Sequence, residues 1–158
     1  MKLAEAAAEF LACKRIAVTG VSRKPQGHGS NAVFDRLVER GYDIVPINPH
    51  ATELAGIPAY PTLAAVPGGV EAVVIGTRPE HALDTVKEAV ELGITKVWMH
   101  RSLDAGSVSA EAVAYGRDHG VVVIDGGCPL MFDPAADGAH KFMCAVLKLT
   151  GKVPRQVS

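Results

Sequence analysis

The sequence predicts an α/β fold in which helices cover both faces of a doubly wound, mostly parallel five-stranded sheet. Five short apolar runs, rich in β-branched residues, start near positions 16, 44, 72, 96 and 121, so that consecutive starts lie 24 to 28 residues apart. That spacing is the length of one strand followed by one helix. The runs do not alternate with polar residues, which is typical of parallel strands buried on both faces.

Helical patterns fill three of the four intervals between these runs. Apolar residues recur every three to four positions in segments 33–38, 82–90 and 110–114, and a glycine follows each segment shortly before the next strand. Glycine commonly ends a helix at such a place. The interval 48–69 contains four prolines and no amphipathic stripe, so we expect an ordered loop there with a short strand at 58–60.

Two further helices are expected to flank this core. Residues 1–12 carry apolar side chains at the spacing of one helix face, which predicts a docking helix. Residues 137–150 begin with Asp137 as a candidate N-cap, and their apolar positions cover more than one face. That helix either packs on its own sheet or forms a homodimer contact. We expect one domain, residues 1–158, with a core of 14–128 and a C-terminal extension of 129–158.

The composition restricts the kinds of partner. Of 158 residues 48% are apolar, and 16 Lys and Arg against 17 Asp and Glu give a net charge of −1. This balance offers no broad basic surface for nucleic acid. No apolar run approaches the ~18 residues of a membrane span, and the first residues lack the pattern of a signal peptide. Three cysteines without a Cys-x-x-Cys pair favour a reduced, cytoplasmic protein.

The loops after the strands are the expected ligand site, because open parallel sheets bind ligands beyond the carboxyl ends of their strands. After the first run, the candidate binding residues are Gly20, Val21, Ser22, Arg23, Lys24 and Ser30. Either Ser30 or Asn31 is a candidate N-cap of the next helix. Flexible backbone, two cations and a helix N-terminus suit a diphosphate. The spacing matches neither the dinucleotide fingerprint nor a P-loop, so a plain glycine-rich connection remains an alternative.

The second strand helps to choose the nucleotide. It ends in Pro46, Ile47, Asn48 and Pro49, without the carboxylate that holds the ribose of NAD. An uncharged rim tolerates a phosphorylated ribose, as in NADP or coenzyme A. Asn48 can bind adenine or ribose, and the alternative is that Asn48 and Pro49 only start a turn.

The third strand is followed by Gly76, Thr77 and Arg78. Gly76 permits close approach of a ligand to the backbone, and Arg78 can reach a phosphate. A capped turn, with Thr77 as the N-cap and a solvated Arg78, explains the same residues.

Several motifs follow one another between residue 16 and about residue 128. They are Val18-Thr19-Gly20-Val21-Ser22, Arg40 to Pro49, Glu53 to Gly56, Tyr60 to Leu63, Ala89 to Gly93 and Val97-Trp98-Met99. In this order they resemble the motifs of the small stand-alone CoA-binding-domain proteins of bacteria. Their fold is Rossmann-like and similar to the N-terminal domain of the succinyl-CoA synthetase α subunit. The resemblance implies that the segment Gly20 to Lys24 and Ser30 surround the CoA diphosphate, that Pro46 to Pro49 line the adenosine end and that Gly76 to Arg78 close over it.

No catalytic or metal-binding residue is predicted. The six histidines form no metal-binding helix pattern, and no nucleophile elbow is present. Relatives commonly have a Gln and a Gly soon after the Trp-Met pair, whereas this sequence has His100 and Arg101 there. His100 is the best catalytic candidate by position, but a packed or solvated His is favoured. Cys128 could be reactive beside a cation, but a buried small residue is favoured.

The leading hypothesis is therefore non-catalytic binding of CoA or an acyl-CoA. The alternatives are an NADP-dependent oxidoreductase, or a subunit that donates CoA to a separate acyltransferase or ligase.

Overall fold

The five apolar runs form the five strands of one parallel sheet. A computed structural model of the chain describes residues 1–24, 29–101, 106–151 and 153–157. Its strands are β1 (Arg15–Thr19), β2 (Asp43–Ile47), β3 (Glu53–Leu54), β4 (Ile57–Pro58), β5 (Ala72–Ile75), β6 (Lys96–Met99) and β7 (Val122–Asp125). The main sheet has the order β2-β1-β5-β6-β7 with every neighbouring pair parallel, while β3 and β4 pair antiparallel beside it.

Helices cover both faces of the sheet. They are α1 (Leu3–Leu11), α2 (Gly29–Glu39), α3 (Pro79–Glu91), α4 (Ala110–Asp118) and α5 (Gly138–Leu149), with a 3₁₀ turn at Pro129–Met131. One apolar cluster joins α1, α2 and α5 to the sheet, and a second joins α3 and α4 to the opposite face. Within the described ranges, no helix is long and apolar enough to cross a membrane.

Alternate side chains along each strand belong to the two different apolar clusters. Ile16 and Val18 belong to the cluster under α1 and α2, whereas Ala17, between them, belongs to the cluster under α3 and α4. Successive side chains of a strand point to opposite faces. A strand that is apolar at every position therefore has partners on both sides, which is why these runs show no polar alternation.

The N-terminal helix docks as its pattern predicts. Its buried residues are Leu3, Ala6, Ala7, Phe10 and Leu11. The Phe10 ring meets the fully buried Trp98 ring edge to face at 5.4 Å, and Trp98 Nε1 donates to the Gly126 carbonyl oxygen at 3.0 Å. Aromatic pairs favour this geometry, and a buried indole needs an acceptor.

Two expected N-caps are wrong and one is confirmed. Helix α2 starts at Gly29, so Ser30 and Asn31 lie inside its first turn. The N-cap position of α3 is Arg78 rather than Thr77, and the Arg78 side chain makes no capping hydrogen bond. Ser30 and Asn31 instead bond to other loops, as described below. Asp137 does cap α5, since its side chain accepts the His140 N–H at 2.8 Å.

The C-terminal helix is apolar on two sides but buries only one. Cys144 and Leu147 are buried against the core, whereas Phe142 and Leu149 are 73% and 84% exposed. Helix α5 therefore packs on its own domain through one face and presents a second apolar face to solvent.

Candidate functional site

The strand order reverses between β1 and β5, and two glycines meet at this point. Gly20 follows β1 with a φ of +78°, and Gly76 follows β5. A Cβ atom on Gly20 would collide with the Gly76 carbonyl group, and a Cβ on Gly76 would collide with the Ser30 side chain. The two loops therefore approach each other as closely as backbone allows, which requires glycine in both.

Hydrogen bonds lock this close approach. Ser30 Oγ donates to the Gly76 carbonyl oxygen at 3.0 Å, and the Gly76 N–H donates to Thr19 Oγ1 at 3.1 Å. Ser30 and Thr19 are each only 4% exposed. Ser30 thus joins the first turn of α2 to the loop that follows β5.

A second pair of hydrogen bonds joins the loop after β1 to α2. The Ser22 N–H donates to Asn31 Oδ1 at 3.0 Å, and Asn31 Nδ2 donates back to the Ser22 carbonyl at 2.8 Å. Ser22 Oγ accepts the Lys24 N–H at 3.1 Å. The side chains of Arg23 and Lys24 are exposed. The rest of this loop, with Pro25 and His28, lies outside the described residues.

Asn48 organises the loop after β2. Its Nδ2 donates to the Val21 carbonyl at 2.9 Å, and its Oδ1 accepts the His50 N–H at 2.7 Å. Its backbone N–H donates to the Tyr60 carbonyl at 2.9 Å. The predicted short strand at 58–60 is found as β4 and a parallel bridge between Tyr60 and Ile47. Asn48 therefore ties three segments together at the carboxyl edge of the sheet.

A cleft of about 520 Å³ opens at this edge. Six of the twelve candidate site residues line it, namely Gly20, Val21, Ser22, Asn48, Pro49 and Thr77. The other six do not line it. Ser30 and Gly76 are hydrogen-bonded to each other, Pro46 is buried within β2, and Arg23, Lys24 and Arg78 are exposed cations. The structure thus brings all three predicted loops together, with the cations flanking the cleft rather than lining it.

The cleft also has lining residues that the sequence did not indicate. They are Thr19, His50, Pro61, Thr62, Leu63, His81, Thr85 and Glu88. His81, Thr85 and Glu88 follow i, i+4, i+7 spacing on α3, so they form the polar stripe beside the buried stripe of that helix. A search for polar stripes would have found them, but it could not have shown which helix borders the cleft.

Thr77 contributes a polar group at the cleft. Its Oγ1 atom is buried and has no hydrogen-bond partner among the described residues. Buried hydroxyl groups normally have a partner. Thr77 Oγ1 is therefore a candidate contact for a bound ligand.

His100 and Cys128 lie at neighbouring strand ends, and both are buried. His100 is 8% exposed, and its ring packs against Gly29 at the start of α2. The Arg101 N–H donates to the Gly127 carbonyl at 2.9 Å. Cys128 is 3% exposed, and burial raises the pKa of its thiol to about 12. At neutral pH this thiol is protonated and unreactive. No three His, Cys, Asp or Glu side chains form a metal site within the described ranges.

The family model described as "CoA binding domain" matches residues 14–134. The chain belongs to this family. The uncharacterized protein YneT of Bacillus subtilis is 31% identical over 111 residues, which are 70% of this chain and 78% of YneT. The resemblance noted from the sequence motifs is thus confirmed at the level of the family.

Solved structures share the fold. A hypothetical protein from Pyrococcus horikoshii is 30% identical with a TM-score of 0.68, over 75% of this chain and 81% of that one. The dinucleotide forming acetyl-coenzyme A synthetase 1 of Ca. Korarchaeum cryptofilum is 26% identical with a TM-score of 0.59. That match covers 73% of this chain but only 26% of the synthetase. The CoA binding domain fold therefore occurs in small proteins and within a much larger enzyme.

Proposed function

We propose that this CoA binding domain holds coenzyme A or an acyl-CoA without catalysing a reaction on it. The observation that carries the proposal is the cleft at the reversal of strand order, which the close packing of Gly20 on Gly76 shapes and which Gly20, Val21 and Ser22 line. Open parallel sheets bind nucleotides at this place. Membership of the family supports CoA as the nucleotide.

The diphosphate is assigned to the loop after β1. The segment from Gly20 to Lys24 brings the two exposed cations Arg23 and Lys24 beside the start of α2. A helix N-terminus favours an anion through its unpaired N–H groups and its partial positive charge. Ser30 contributes indirectly, because it holds Gly76 in place.

The phosphorylated adenosine is assigned to the cleft between β2 and α3. Pro46 to Pro49 form the end of β2 and the turn that follows, and Asn48 retains one N–H for a base or ribose oxygen. No carboxylate stands at the end of β2 to compete with a ribose phosphate. From the other side, Thr77 offers its hydroxyl group and Arg78 its cation.

Two other functions use the same site. A subunit that donates CoA to a separate acyltransferase or ligase is favoured by the match to one part of an acetyl-coenzyme A synthetase. An NADP-dependent oxidoreductase has less support, because His100 is buried beside α2 and Cys128 is buried, which raises the pKa of its thiol to about 12. Neither residue lines the cleft as a proton donor to a nicotinamide.

The proposal also includes a cytoplasmic location and a homodimer. The three cysteines are free and buried, as expected in a reducing compartment.

The exposed face of α5, with Phe142, Val146 and Leu149, is the surface assigned to the dimer contact. Sedimentation of the wild type and of Phe142→Glu tests this, since a dimer through α5 becomes monomeric in the variant.

Calorimetric titration tests the ligand. We expect CoA to bind more tightly than ~1 mM, equivalent to about 4 kcal/mol, and more tightly than NADP or NAD. Reversing the charge of Arg23 and Lys24 together is expected to weaken CoA and 3′-dephospho-CoA about equally, because both ligands carry the diphosphate. The matched control reverses Lys87 and Arg117, which lie at Tyr115 and Asp125 away from the cleft.

The results separate the candidates. Absence of CoA binding at ~1 mM contradicts the proposal, and tighter binding of NADP favours the oxidoreductase. If charge reversal weakens CoA alone, Arg23 and Lys24 serve the ribose phosphate and the diphosphate assignment is wrong. A stable complex with a separate ligase or acyltransferase would identify the donor subunit.

A further inference from the structure

Two histidines line the adenosine cleft from different walls. His50 lies in the turn after β2, and His81 lies in the first turn of α3. Both are exposed to solvent, and neither imidazole ring has a hydrogen-bond partner in the described part of the chain. Both rings therefore have N–H groups available to a ligand in the cleft.

These histidines are the only cleft-lining residues, among those the structure describes, that can become cationic. The loops after β1, β2 and β5 and helix α3 carry eight other charged residues among the described ranges, which are Arg23, Lys24, Arg78, Glu80, Asp84, Lys87, Glu88 and Glu91. Of these eight only Glu88 lines the cleft. Lys87 points to the Tyr115 ring at 5.7 Å, and Glu53 of β3 borders a separate, smaller cleft.

The charge varies along the α3 wall. His81 lies at the N-terminal end of α3, where the helix dipole favours an anion. Glu88 lies seven residues further on, about 10 Å along the helix axis, and its Oε1 already accepts the Ala64 N–H at 2.9 Å. An anionic group of the ligand is therefore favoured at the histidine end of the cleft.

The backbone of both histidines is fixed. The His50 N–H donates to Asn48 Oδ1 at 2.7 Å, and Asn48 is itself bonded to Val21. The His81 N–H donates to the Arg78 carbonyl at 3.0 Å, and the His81 carbonyl accepts from Thr85 Oγ1 at 3.2 Å. The two rings therefore start from fixed points on the cleft walls, which lowers the entropic cost of binding.

We propose that His50 and His81 form a proton-dependent subsite for the phosphomonoester on the ribose of the bound nucleotide. This inference rests on the proposed function and adds that the ribose phosphate is read by imidazoles. Histidine has an ordinary pKa of about 6.5, and a bound anion favours the protonated ring. The preference for a phosphorylated ribose is then larger at weakly acidic pH than at weakly alkaline pH.

The test compares CoA with 3′-dephospho-CoA by calorimetry at about pH 6 and pH 8, at constant ionic strength. The preference is the ratio of the two dissociation constants. For the wild type we expect this ratio to be roughly tenfold larger at the lower pH, the size expected of charge-assisted hydrogen bonds. The phosphomonoester itself gains charge with rising pH, so each variant is compared with the wild type at the same pH.

The variants are His50→Gln, His81→Gln and the double substitution, which keep hydrogen-bonding ability but cannot become cationic. The double variant is expected to lose the extra preference at the lower pH while still binding 3′-dephospho-CoA as the wild type does. His119→Gln is the control, because His119 stacks on Tyr115 at 4.1 Å and does not line the cleft. Circular dichroism verifies that each variant is folded.

Two results overturn the inference in distinguishable ways. If both ligands bind and the double variant keeps the wild-type dependence on pH, the histidine subsite is wrong while CoA binding stands. If the wild type binds neither ligand at ~1 mM, the proposed function fails, and the subsite fails with it.

Discussion

Clefts of similar size open at the two ends of the sheet, but their polar groups are used differently. The cleft at the amino end, about 390 Å³, is bordered by Cys13, Lys14, Arg40 and Tyr42. There the Tyr42 hydroxyl donates to the Leu11 carbonyl at 2.8 Å, and Arg40 donates to the Ala136 carbonyl at 3.0 Å. These bonds tie α1, α2 and the segment before α5 to one another, so the polar groups serve the fold.

The cleft at the carboxyl end keeps polar groups available. Thr77 Oγ1 and the rings of His50 and His81 have no hydrogen-bond partners in the described ranges, whereas Asn48 and Ser30 shape the loops around them. The comparison teaches that volume does not distinguish a binding site from a packing gap. Polar groups that the fold itself does not use make the distinction.

The largest expected effect is that of Gly20→Ala at the carboxyl end. The new Cβ would collide with the Gly76 backbone, in addition to the strain of a positive φ. We therefore expect the free energy of unfolding to fall by about 3 kcal/mol and CoA binding to be lost. Gly41→Ala is the matched control, because Gly41 has a φ of +84° and open space around its Cα. It is expected to lose about 1 kcal/mol and to bind CoA normally. Equal denaturation midpoints for the two variants would contradict the importance of the close approach.

A smaller effect is expected at the amino end from Tyr42→Phe. Loss of the bond to Leu11 is expected to cost about 1 kcal/mol in urea unfolding without changing CoA affinity. Burial raises the pKa of Tyr42 above its ordinary value of 10.0, so the folded state favours the protonated phenol and loses stability as the pH rises through that range. In Tyr42→Phe this loss of stability at alkaline pH should be absent, whereas Tyr60→Phe should keep it. Weaker CoA binding in Tyr42→Phe would show that the two ends are coupled.

The smallest effect concerns Glu71, at the start of the β5 segment. Its Oε2 accepts the N–H groups of Lys14 at 2.6 Å and Arg15 at 2.8 Å, which hold the pKa of this carboxyl below its ordinary value of 4.5. The stabilisation is complete above that value and is lost as the pH falls through the lower, folded-state pKa. We expect Glu71→Gln to flatten the acid limb of the Tm profile, with Glu91→Gln as a control. An unchanged acid limb would contradict this assignment.

Sequence patterns predicted most of the architecture because those patterns are local. The β-branched runs gave all five strands of the main sheet, and the stripe from Leu3 to Leu11 gave the buried face of α1. The N-caps expected at Ser30 and Thr77 were wrong. Ser30 meets a partner 46 residues away in sequence, and no local pattern predicts such a bond.

The candidate site was predicted in part for the same reason. Gly20, Ser22 and Asn48 were found because glycine turns and strand ends mark carboxyl-edge loops, and all three line the cleft. His50 and His81 were missed as a pair because they lie 31 residues apart and only the order of the sheet brings their segments to one cleft.

The sequence by itself determined the strands, the buried helix faces and the loops that can approach a nucleotide, since periodicity and glycine act over a few residues. Tertiary structure alone decided that β1 lies between β2 and β5, that Gly20 packs on Gly76 and that the α3 polar stripe borders the cleft. These features depend on contacts between segments far apart in the chain, where packing and hydrogen bonding select one arrangement among many that the local patterns allow.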